Sequence, residues 1–175
     1  LTEDISDQKI DILVNNAAHY NNRDDFLKVT SEEINLIFTV NLIAAVQLIR
    51  TVLPGMVARS WGRVINISSV SVTHGGSAAT FDYTSSKSSL ESMTRSLAKE
   101  YTRHNVLINA IRAGFTDTKF HKMDTKKYRE SRVEKIPIKR AAKPEEIAAV
   151  VEFLCSDAAS FVSGAILPVT GGELV

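Results

Sequence analysis

Residues 62–69 read GRVINISS, a short run of branched apolar residues that ends in two serines. Similar apolar runs occur elsewhere in the chain, and longer stretches with helical spacing separate them. This alternation is typical of strand–helix–strand units around a parallel sheet. We predict strands at residues 11–15, 63–68, 105–111 and 165–169. Burial under helices on both faces explains why these runs are almost continuously apolar.

Three longer helices are predicted, at residues 30–58, 81–103 and 144–156. Thr30 or Ser31 caps the first helix, and Pro144 opens the third at a position that needs no amide donor. The second helix has an apolar stripe made of Leu90, Met93, Leu97 and Tyr101. A polar residue, Asn41, interrupts the apolar face of the first helix. The pattern predicts a single α/β domain, residues 1–175, with a doubly wound parallel sheet of the Rossmann type.

Tyr83 and Lys87 stand four residues apart in YTSSK, within the second predicted helix. This spacing puts both side chains on one helix face about 6 Å apart, close enough for the ammonium to favour the phenolate form. We therefore predict that Lys87 lowers the pKa of Tyr83 towards the range in which a general acid–base works best. The same pair also occurs on ordinary amphipathic helices, so its interpretation depends on the surrounding motifs.

Polar and small residues follow three of the predicted strands directly. They are Asn15 and Asn16 after the first run, Ser68 and Ser69 after the second, and residues 112–118 after the third. Ligands of open parallel sheets bind beyond the carboxyl ends of the strands. Turn chemistry explains any one of these segments, but three in register favour a binding site.

The segments ILVNNAA, GRVINISS, YTSSK and NVLINAIRAGFTDT, in this order, resemble the short-chain dehydrogenase/reductase family over essentially the whole chain. The resemblance implies an NAD(P)-dependent oxidoreductase that interconverts a small-molecule carbonyl and a secondary alcohol by hydride transfer. It implies that Tyr83 exchanges a proton with the reacting oxygen and that Ser69, rather than Ser68, holds that oxygen. Lys87 would lower the pKa of Tyr83 and bind the ribose hydroxyls of the nicotinamide cofactor.

The resemblance implies roles for further residues. Asn41 would hold a water molecule for a proton relay, and a satisfied core asparagine is the alternative. Asn15 would brace the sheet, and Ala17 would pass close to the cofactor. The loop after the third strand would contribute Gly114, Thr116 and Thr118 to the cofactor site.

The chain departs from the family pattern in three places. Ala18 replaces a glycine, Ala113 replaces a proline, and the glycine-rich phosphate loop TGxxxGxG occurs nowhere in the 175 residues. The sequence therefore resembles the carboxyl-terminal part of such an enzyme, with a sheet that is incomplete on its N-terminal side. We expect this chain alone to bind cofactor weakly and to be inactive, with strand 11–15 as an exposed edge. The choice between NAD and NADP stays open.

Composition excludes some partners and leaves others open. With 21 basic and 20 acidic residues the formal net charge is +1, which gives no support for nucleic acid or an anionic membrane as a partner. The local basic cluster consists of Lys119, Lys122, Lys126, Lys127, Arg129 and Arg132. A solvated helix face is the simpler interpretation of this cluster, and a site for a phosphate-bearing substrate is the alternative.

The single cysteine, Cys155, cannot form an intramolecular disulfide, which fits a reducing environment. No apolar run approaches 18 residues and no signal peptide is evident, so we expect a cytoplasmic protein without a membrane span. No metal site is predicted.

Residues 116–142 are polar and charged, with a short helix predicted at 124–135. A segment of this length inside a compact domain is usually functional or mobile, and the resemblance implies a lid over the substrate. Family analogy also implies a homodimer or homotetramer that assembles through helices 30–58 and 81–103. A non-catalytic assembly module is the alternative function. A serine hydrolase is disfavoured because the chain lacks the GxSxG turn.

Overall fold

The computed structural model describes residues 8–21, 25–118 and 125–173. Within them, four strands form one parallel sheet in the order β1-β2-β3-β4. The strands are β1 (Ile12–Asn15), β2 (Gly62–Ser69), β3 (Val106–Ala113) and β4 (Ile166–Val169). All four predicted strands and the α/β class are confirmed, and strand ends differ from the prediction by at most two residues.

Six helices flank the sheet in the described part of the chain. They are α1 (Ser31–Phe38), α2 (Ala44–Ala58), α3 (Ser71–His74), α4 (Phe81–Tyr101), α5 (Lys126–Lys135) and α6 (Pro144–Cys155). The three predicted long helices are confirmed, and a 3-10 turn, Thr102–His104, continues the second. Thr125 caps α5, so this helix begins two residues later than predicted, and Asp124 lies outside the described residues.

The helix predicted at residues 30–58 has an interruption that the sequence does not show. Thr30 caps it, because the Glu33 amide donates to Thr30 Oγ1 at 3.2 Å and the Thr30 amide donates to Glu33 Oε2 at 3.0 Å. A π-helical turn, Thr39–Ile43, then joins α1 to α2. Turns of this kind occur mostly inside α-helices and often at functional sites. Here the turn contains Asn41, the one buried residue of the five.

Apolar clusters lie on both faces of the sheet. The first cluster contains Ile49, Val52, Leu53, Met56, Val64, Ala98, Val106 and Ile108, so α2 and α4 cover one face. The second contains Ile65, Ile111, Leu154 and Ala159, so α6 covers the other. The predicted stripe of α4 is confirmed, because Leu90 is buried and Met93, Leu97 and Tyr101 pack against the first cluster. Two-sided burial explains the apolar runs of β2 and β3.

Strand β1 is less covered than its neighbours. Among the described residues it pairs with β2 alone, and the side chains of Ile12 and Val14 are 46% and 40% exposed. These are the features expected of an edge strand with an uncovered apolar face.

The helical stretch Ser31–Ala58, which consists of α1, the π-helical turn and α2, is 28 residues long and apolar enough to cross a membrane by length and composition. The sequence analysis looked for an uninterrupted apolar run and expected no membrane span, whereas this test tolerates polar residues such as Asn41 and Arg50 and is also met by buried core helices. About a third of the residues in its most apolar stretch are buried within the protein, among them Ile37, Ala45 and Ile49. Since its buried face packs on the sheet, the helix has the features of a core helix of an α/β domain.

Residues 116–142 leave the sheet and return to the same place. Thr116 and Ala142 form a β-bridge, the Ala142 amide donates to the Phe115 carbonyl at 2.9 Å, and the Asp117 amide donates to the Ala142 carbonyl at 2.9 Å. Helix α5 lies within this segment. The β-bridge and the two hydrogen bonds hold the two ends of the segment together at the sheet. Lys119, Phe120, Lys122 and Met123 lie outside the described residues.

Candidate active site

Helix α4 carries Tyr83 and Lys87 in its first two turns, against the carboxyl end of β2. The Tyr83 amide donates to Asp82 Oδ1 at 2.9 Å, which occupies one of the free donors at the start of the helix. Lys87 is 2% exposed, and its Nζ donates to the Ile67 carbonyl at 2.7 Å. The same nitrogen lies 5.9 Å from the centre of the Tyr83 ring. The spacing of four thus places the phenol and the amine on one face, as predicted.

Ser69, the last residue of β2, completes this group. Its side chain is hydrogen-bonded to the Tyr83 side chain, and its Oγ also accepts the Ser71 amide at 3.2 Å. The edge of the Tyr83 ring packs on Tyr20, with the ring centres 5.6 Å apart. We call Ser69, Tyr83 and Lys87 the Tyr83 cluster. The structure brings together the three residues that the sequence singled out.

Burial shifts both titratable members of the Tyr83 cluster. It raises the pKa of Tyr83 above its ordinary value of 10, and the hydrogen bond with Ser69 offsets part of this rise. Burial also lowers the pKa of Lys87 to about 8. The prediction that the pKa of Tyr83 is lowered is therefore wrong in its net direction. The reason is that removing water from the phenol outweighs the effect of a neighbouring amine that donates to a backbone carbonyl.

Ser68 lies in a different environment from its neighbour. Its Oγ donates to Glu91 Oε1 at 2.7 Å, and Arg112 binds both oxygens of that carboxylate, at 2.8 Å from Nε and 2.6 Å from NH2. Glu91 is 2% exposed, and the Arg112 side chain is 22% exposed. We call Ser68, Glu91 and Arg112 the Glu91 network. The sequence analysis missed Glu91, although it follows Lys87 by four residues on the same helix face.

Asn41 connects the loop after β1 to the helices. Its Nδ2 donates to the His19 carbonyl and to Ser86 Oγ, both at 3.0 Å, and its Oδ1 accepts the His19 amide at 2.6 Å. Ser86 Oγ in turn donates to the Tyr83 carbonyl at 2.7 Å. Because both amide hydrogens have protein partners, these contacts favour the satisfied core asparagine over the water-holding role.

Asn15 joins the sheet to α4 through side chains. Its Nδ2 donates to Asn66 Oδ1 at 2.8 Å, and Asn66 Nδ2 donates to Thr94 Oγ1 at 2.8 Å. These contacts are those of a residue that braces β1 against β2 and α4. The exposed Ala17 lies two residues further along the same loop.

The loop after β3 passes close to the end of β4. A Cβ on Gly114 would lie 2.9 Å from Thr170 Cα, so only glycine fits this approach. Thr116 Oγ1 donates to the Gly114 carbonyl at 3.0 Å, which fixes the turn. Thr118 is half-buried at the end of this described stretch. Asn15 ends β1, Ser69 ends β2 and Gly114 directly follows β3, so these three residues lie at the carboxyl ends of neighbouring strands.

The Tyr83 cluster fits the sugar end of a nicotinamide cofactor. A lysine ammonium has three hydrogens, and among the described residues Lys87 uses one of them, on the Ile67 carbonyl. Two donors therefore remain for the hydroxyl pair of a ribose. Within the described residues, no group of His, Cys, Asp and Glu side chains is placed to hold a metal ion.

A second polar cluster, which the sequence analysis missed, joins α3 to α5. Glu173 Oε1 lies 3.2 Å from Arg132 NH2 on α5 and 3.6 Å from His74 Nε2 on α3. The Glu173 side chain is 9% exposed, and its other oxygen, Oε2, is buried without a hydrogen-bond partner among the described residues. The guanidinium of Arg132 also lies 5.5 Å from the centre of the Phe115 ring. A cavity of about 790 Å³, lined by Phe115, Asp117, Arg129 and Val133 among others, opens beside α5.

Comparison with known proteins gives consistent matches over almost the whole chain. A family model described as enoyl-(acyl carrier protein) reductase matches residues 2–173. The chain is 39% identical to the 3-oxoacyl-[acyl-carrier-protein] reductase of Aquifex aeolicus, over 93% of this chain and 65% of that protein. It is 40% identical to the enzyme of the same name from Pseudomonas aeruginosa, over 92% of this chain and 64% of that protein. The chain thus spans about two thirds of the length of these curated relatives.

Solved structures agree with the sequence matches. A candidate NAD(P)-dependent gluconate 5-dehydrogenase from Beutenbergia cavernae, with NADP bound at low occupancy, superimposes with a TM-score of 0.93. The two sequences are 33% identical, and the match covers 99% of this chain and 70% of that one.

Proposed function

Because the chain belongs to the short-chain dehydrogenase/reductase family, we propose that the protein interconverts a carbonyl and a secondary alcohol with NAD or NADP. The hydrogen bond between Ser69 and Tyr83 beside the buried amine of Lys87 carries this proposal. The Tyr83 cluster lies where ligands of parallel sheets bind. The relatives are named as reductases and dehydrogenases of different substrates, which supports the reaction class more than any one substrate.

Tyr83 is the group that donates a proton to the carbonyl oxygen during reduction. Its raised pKa keeps the phenol protonated at neutral pH, which is the form that the reduction needs. Ser69 holds the same oxygen and stabilises the negative charge that develops on it. The partial burial of Tyr83 lowers the local dielectric constant, which strengthens both interactions.

A nicotinamide cofactor, when bound, would supply the hydride. Lys87 would hold its ribose through the two remaining ammonium hydrogens, at a nitrogen already oriented by the Ile67 carbonyl. The proposed cofactor site would be completed by Asn15 at the end of β1, by Ala17 in the loop after it, and by Gly114, Thr116 and Thr118 after β3. Asn41 would act by positioning α4 and the loop after β1 rather than by touching the reacting atoms.

We further propose a lid over the site, an oligomeric assembly and a cellular location for the protein. Residues 116–142, whose two ends are joined by the β-bridge, would form the substrate lid. A second copy of the chain would pack on α1–α2 and α4, which fits the exposed Leu36 and Ile43 and gives a homodimer or homotetramer. The free thiol of Cys155 fits a cytoplasmic location. Light scattering on the full-length protein and on an Ile43→Glu variant tests the assembly, and an unchanged mass for the variant would count against this surface.

Replacement of Tyr83 by phenylalanine in the full-length protein tests the function. We expect kcat for carbonyl reduction to fall about 10²- to 10⁴-fold, the usual contribution of a positioned acid. Cofactor binding, measured by protein fluorescence, should stay within a few-fold of the parent. Tyr101→Phe is the matched control, because Tyr101 lies at the other end of α4 and packs on the core. Unchanged reduction by Tyr83→Phe would favour the non-catalytic assembly module instead.

A further inference from the structure

We propose that Tyr20, in the loop after β1, is a positioning residue that orients the ring of Tyr83 for proton transfer. This inference rests on the proposed function, since it concerns the same reaction. The rings of Tyr20 and Tyr83 pack edge to face, with their centres 5.6 Å apart and their planes at 80°. Aromatic pairs prefer this geometry, which stabilises the relative orientation of the two rings beyond the effect of burial alone.

The loop that carries Tyr20 is held by Asn41 at the preceding residue. Asn41 Oδ1 accepts the His19 amide at 2.6 Å, and Asn41 Nδ2 donates to the His19 carbonyl at 3.0 Å. One side-chain amide therefore binds both backbone groups of His19, as the opposite residue does in an antiparallel strand pair. Asn41 is 2% exposed, so these two hydrogen bonds lie in the protein interior. They restrict the direction in which the chain continues to Tyr20.

Asn41 also holds the backbone of Tyr83. Asn41 Nδ2 donates to Ser86 Oγ at 3.0 Å, and Ser86 Oγ donates to the Tyr83 carbonyl at 2.7 Å. Tyr83 is therefore held at its ring by Tyr20 and at its backbone by Ser86. Both connections end at Asn41, so the loop after β1 and the first turn of α4 keep a fixed relation to each other.

The proposed reaction needs a support for the Tyr83 ring other than its hydroxyl group. In the structure, Ser69 and the phenol are hydrogen-bonded to each other. During the reaction both hydroxyl groups turn to the reacting oxygen, so their mutual hydrogen bond no longer orients the ring. The contact with Tyr20 involves the ring itself and is kept. Because a misplacement of about 1 Å can cost roughly 100-fold in rate, we expect this contact to contribute to kcat.

Tyr20→Ala and Tyr20→Phe in the full-length protein test the inference. The assay is the reduction of ethyl acetoacetate with NADH or NADPH. We expect Tyr20→Ala to lower kcat about 10- to 100-fold, with a dissociation constant for the cofactor within a few-fold of the parent. Tyr20→Phe keeps the ring and should retain most of the activity. Phe26→Ala is the matched control and should stay within a few-fold of the parent, because it removes another edge-to-face pair, with Phe81 at 5.4 Å, that does not include Tyr83.

The Tyr83→Phe background separates positioning from a structural role. If Tyr20 acts through the phenol, Tyr20→Ala has no further effect on kcat once that hydroxyl group is absent, so the two substitutions are not additive. A structural role predicts the same 10- to 100-fold loss in both backgrounds, and this result would overturn the inference. A parent-like kcat for Tyr20→Ala, or a Tyr20→Phe variant as slow as Tyr20→Ala, would also overturn it.

The outcomes distinguish this inference from the proposed function. Unchanged reduction by Tyr83→Phe overturns both. A loss in Tyr83→Phe together with equal losses for Tyr20→Ala in both backgrounds leaves the oxidoreductase intact and overturns the inference alone.

If the parent does not reduce the probe, carbon-13 NMR of ring-labelled tyrosine decides the inference. The Tyr83 signal is identified by its loss in Tyr83→Phe. Burial raises the pKa of this phenol, so removal of the covering ring in Tyr20→Ala should lower that pKa, and Tyr20→Phe should not. Ser69 and Lys87, which also face the phenol, are the same in both variants. An unchanged pKa in Tyr20→Ala would overturn the inference.

Discussion

Ser68 and Ser69 are adjacent at the end of β2 but belong to two polar regions that differ in kind. In the Glu91 network, three hydrogen bonds of 2.6–2.8 Å join Ser68 and Arg112 to the Glu91 carboxylate. In the Tyr83 cluster, burial shifts the pKa of the phenol upwards and that of the amine downwards. Side chains alternate across a strand, which explains how one residue step separates the two regions.

The difference indicates that the Glu91 network contributes mainly to stability and the Tyr83 cluster mainly to the reaction. A paired and hydrogen-bonded buried charge keeps its place at little net cost, whereas a buried amine with unused donors costs stability unless a ligand binds it. Shifted pKa values of this kind are typical of functional sites. Substitutions in the Glu91 network should therefore act mainly on stability, and those in the Tyr83 cluster mainly on activity.

Breaking the Glu91 network should produce the largest change in stability. Arg112→Met leaves the carboxylate of Glu91, which is 2% exposed, without its cation, and we expect a loss of about 3–5 kcal/mol. Glu91→Gln should cost less, about 1–3 kcal/mol, because the Arg112 side chain still reaches water. Urea unfolding of the full-length protein measures both free energies.

The double variant Glu91→Leu/Arg112→Met is the control for this pair. Replacing both charges by apolar groups should recover most of the stability, because no buried charge is left alone. A double variant as unstable as Arg112→Met would show that lost packing, rather than an unpaired charge, determines the effect.

Lys87→Met should stabilise the protein, with a dependence on pH that identifies the cause. The pKa of Lys87 is lowered from 10.5 to about 8, so folding disfavours its protonated form. This shift corresponds to about 3 kcal/mol, less about 1 kcal/mol for the hydrogen bond to Ile67. Between pH 8 and 10.5 the unfolded chain binds the proton and the native state does not, so parent stability rises with pH in this window. The advantage of Lys87→Met should be complete below pH 8, and above about pH 10.5 the lost hydrogen bond alone should leave the variant about 1 kcal/mol less stable than the parent.

Unfolding titrations of parent and variant at pH 7, 9 and 10.5 measure this difference. Lys99→Met, on the exposed face of the same helix, is the control for the loss of a lysine. A constant difference between parent and Lys87→Met across the window would contradict the assigned shift.

The sequence predicts those features that depend on neighbouring residues in the chain. Apolar runs of β2 and β3 predict the buried strands, and the spacing of Tyr83 and Lys87 predicts their common face. The direction of the Tyr83 shift could not be predicted, because it depends on burial by residues distant in sequence such as Tyr20. The π-helical turn at Thr39–Ile43 is coupled to contacts of Asn41 across 22 and 45 positions, which no local pattern encodes.

The same reasoning explains the missed residues. Glu91 and Arg112 are 21 positions apart, and only the packing of α4 on β3 brings them together. Glu173 follows β4 and contacts His74 on α3 and Arg132 on α5, both of which are distant from it in sequence. Residues that meet through such long connections are found from coordinates rather than from spacing.

The two serines give the smallest and most selective test of the comparison. Ser68→Ala removes one of the hydrogen bonds to the Glu91 carboxylate, and we expect a loss of about 1–2 kcal/mol in stability with little change in kcat. Ser69→Ala should change stability by less than about 1 kcal/mol because its side chain is only half-buried. It should nevertheless lower kcat by roughly 100-fold, since in the proposed function Ser69 donates to the reacting oxygen. Unfolding and steady-state kinetics are measured in parallel on both variants. If the two serines belong to different regions, Ser68→Ala lowers the stability more and Ser69→Ala lowers kcat more. Similar effects of the two substitutions would show that the regions act as one.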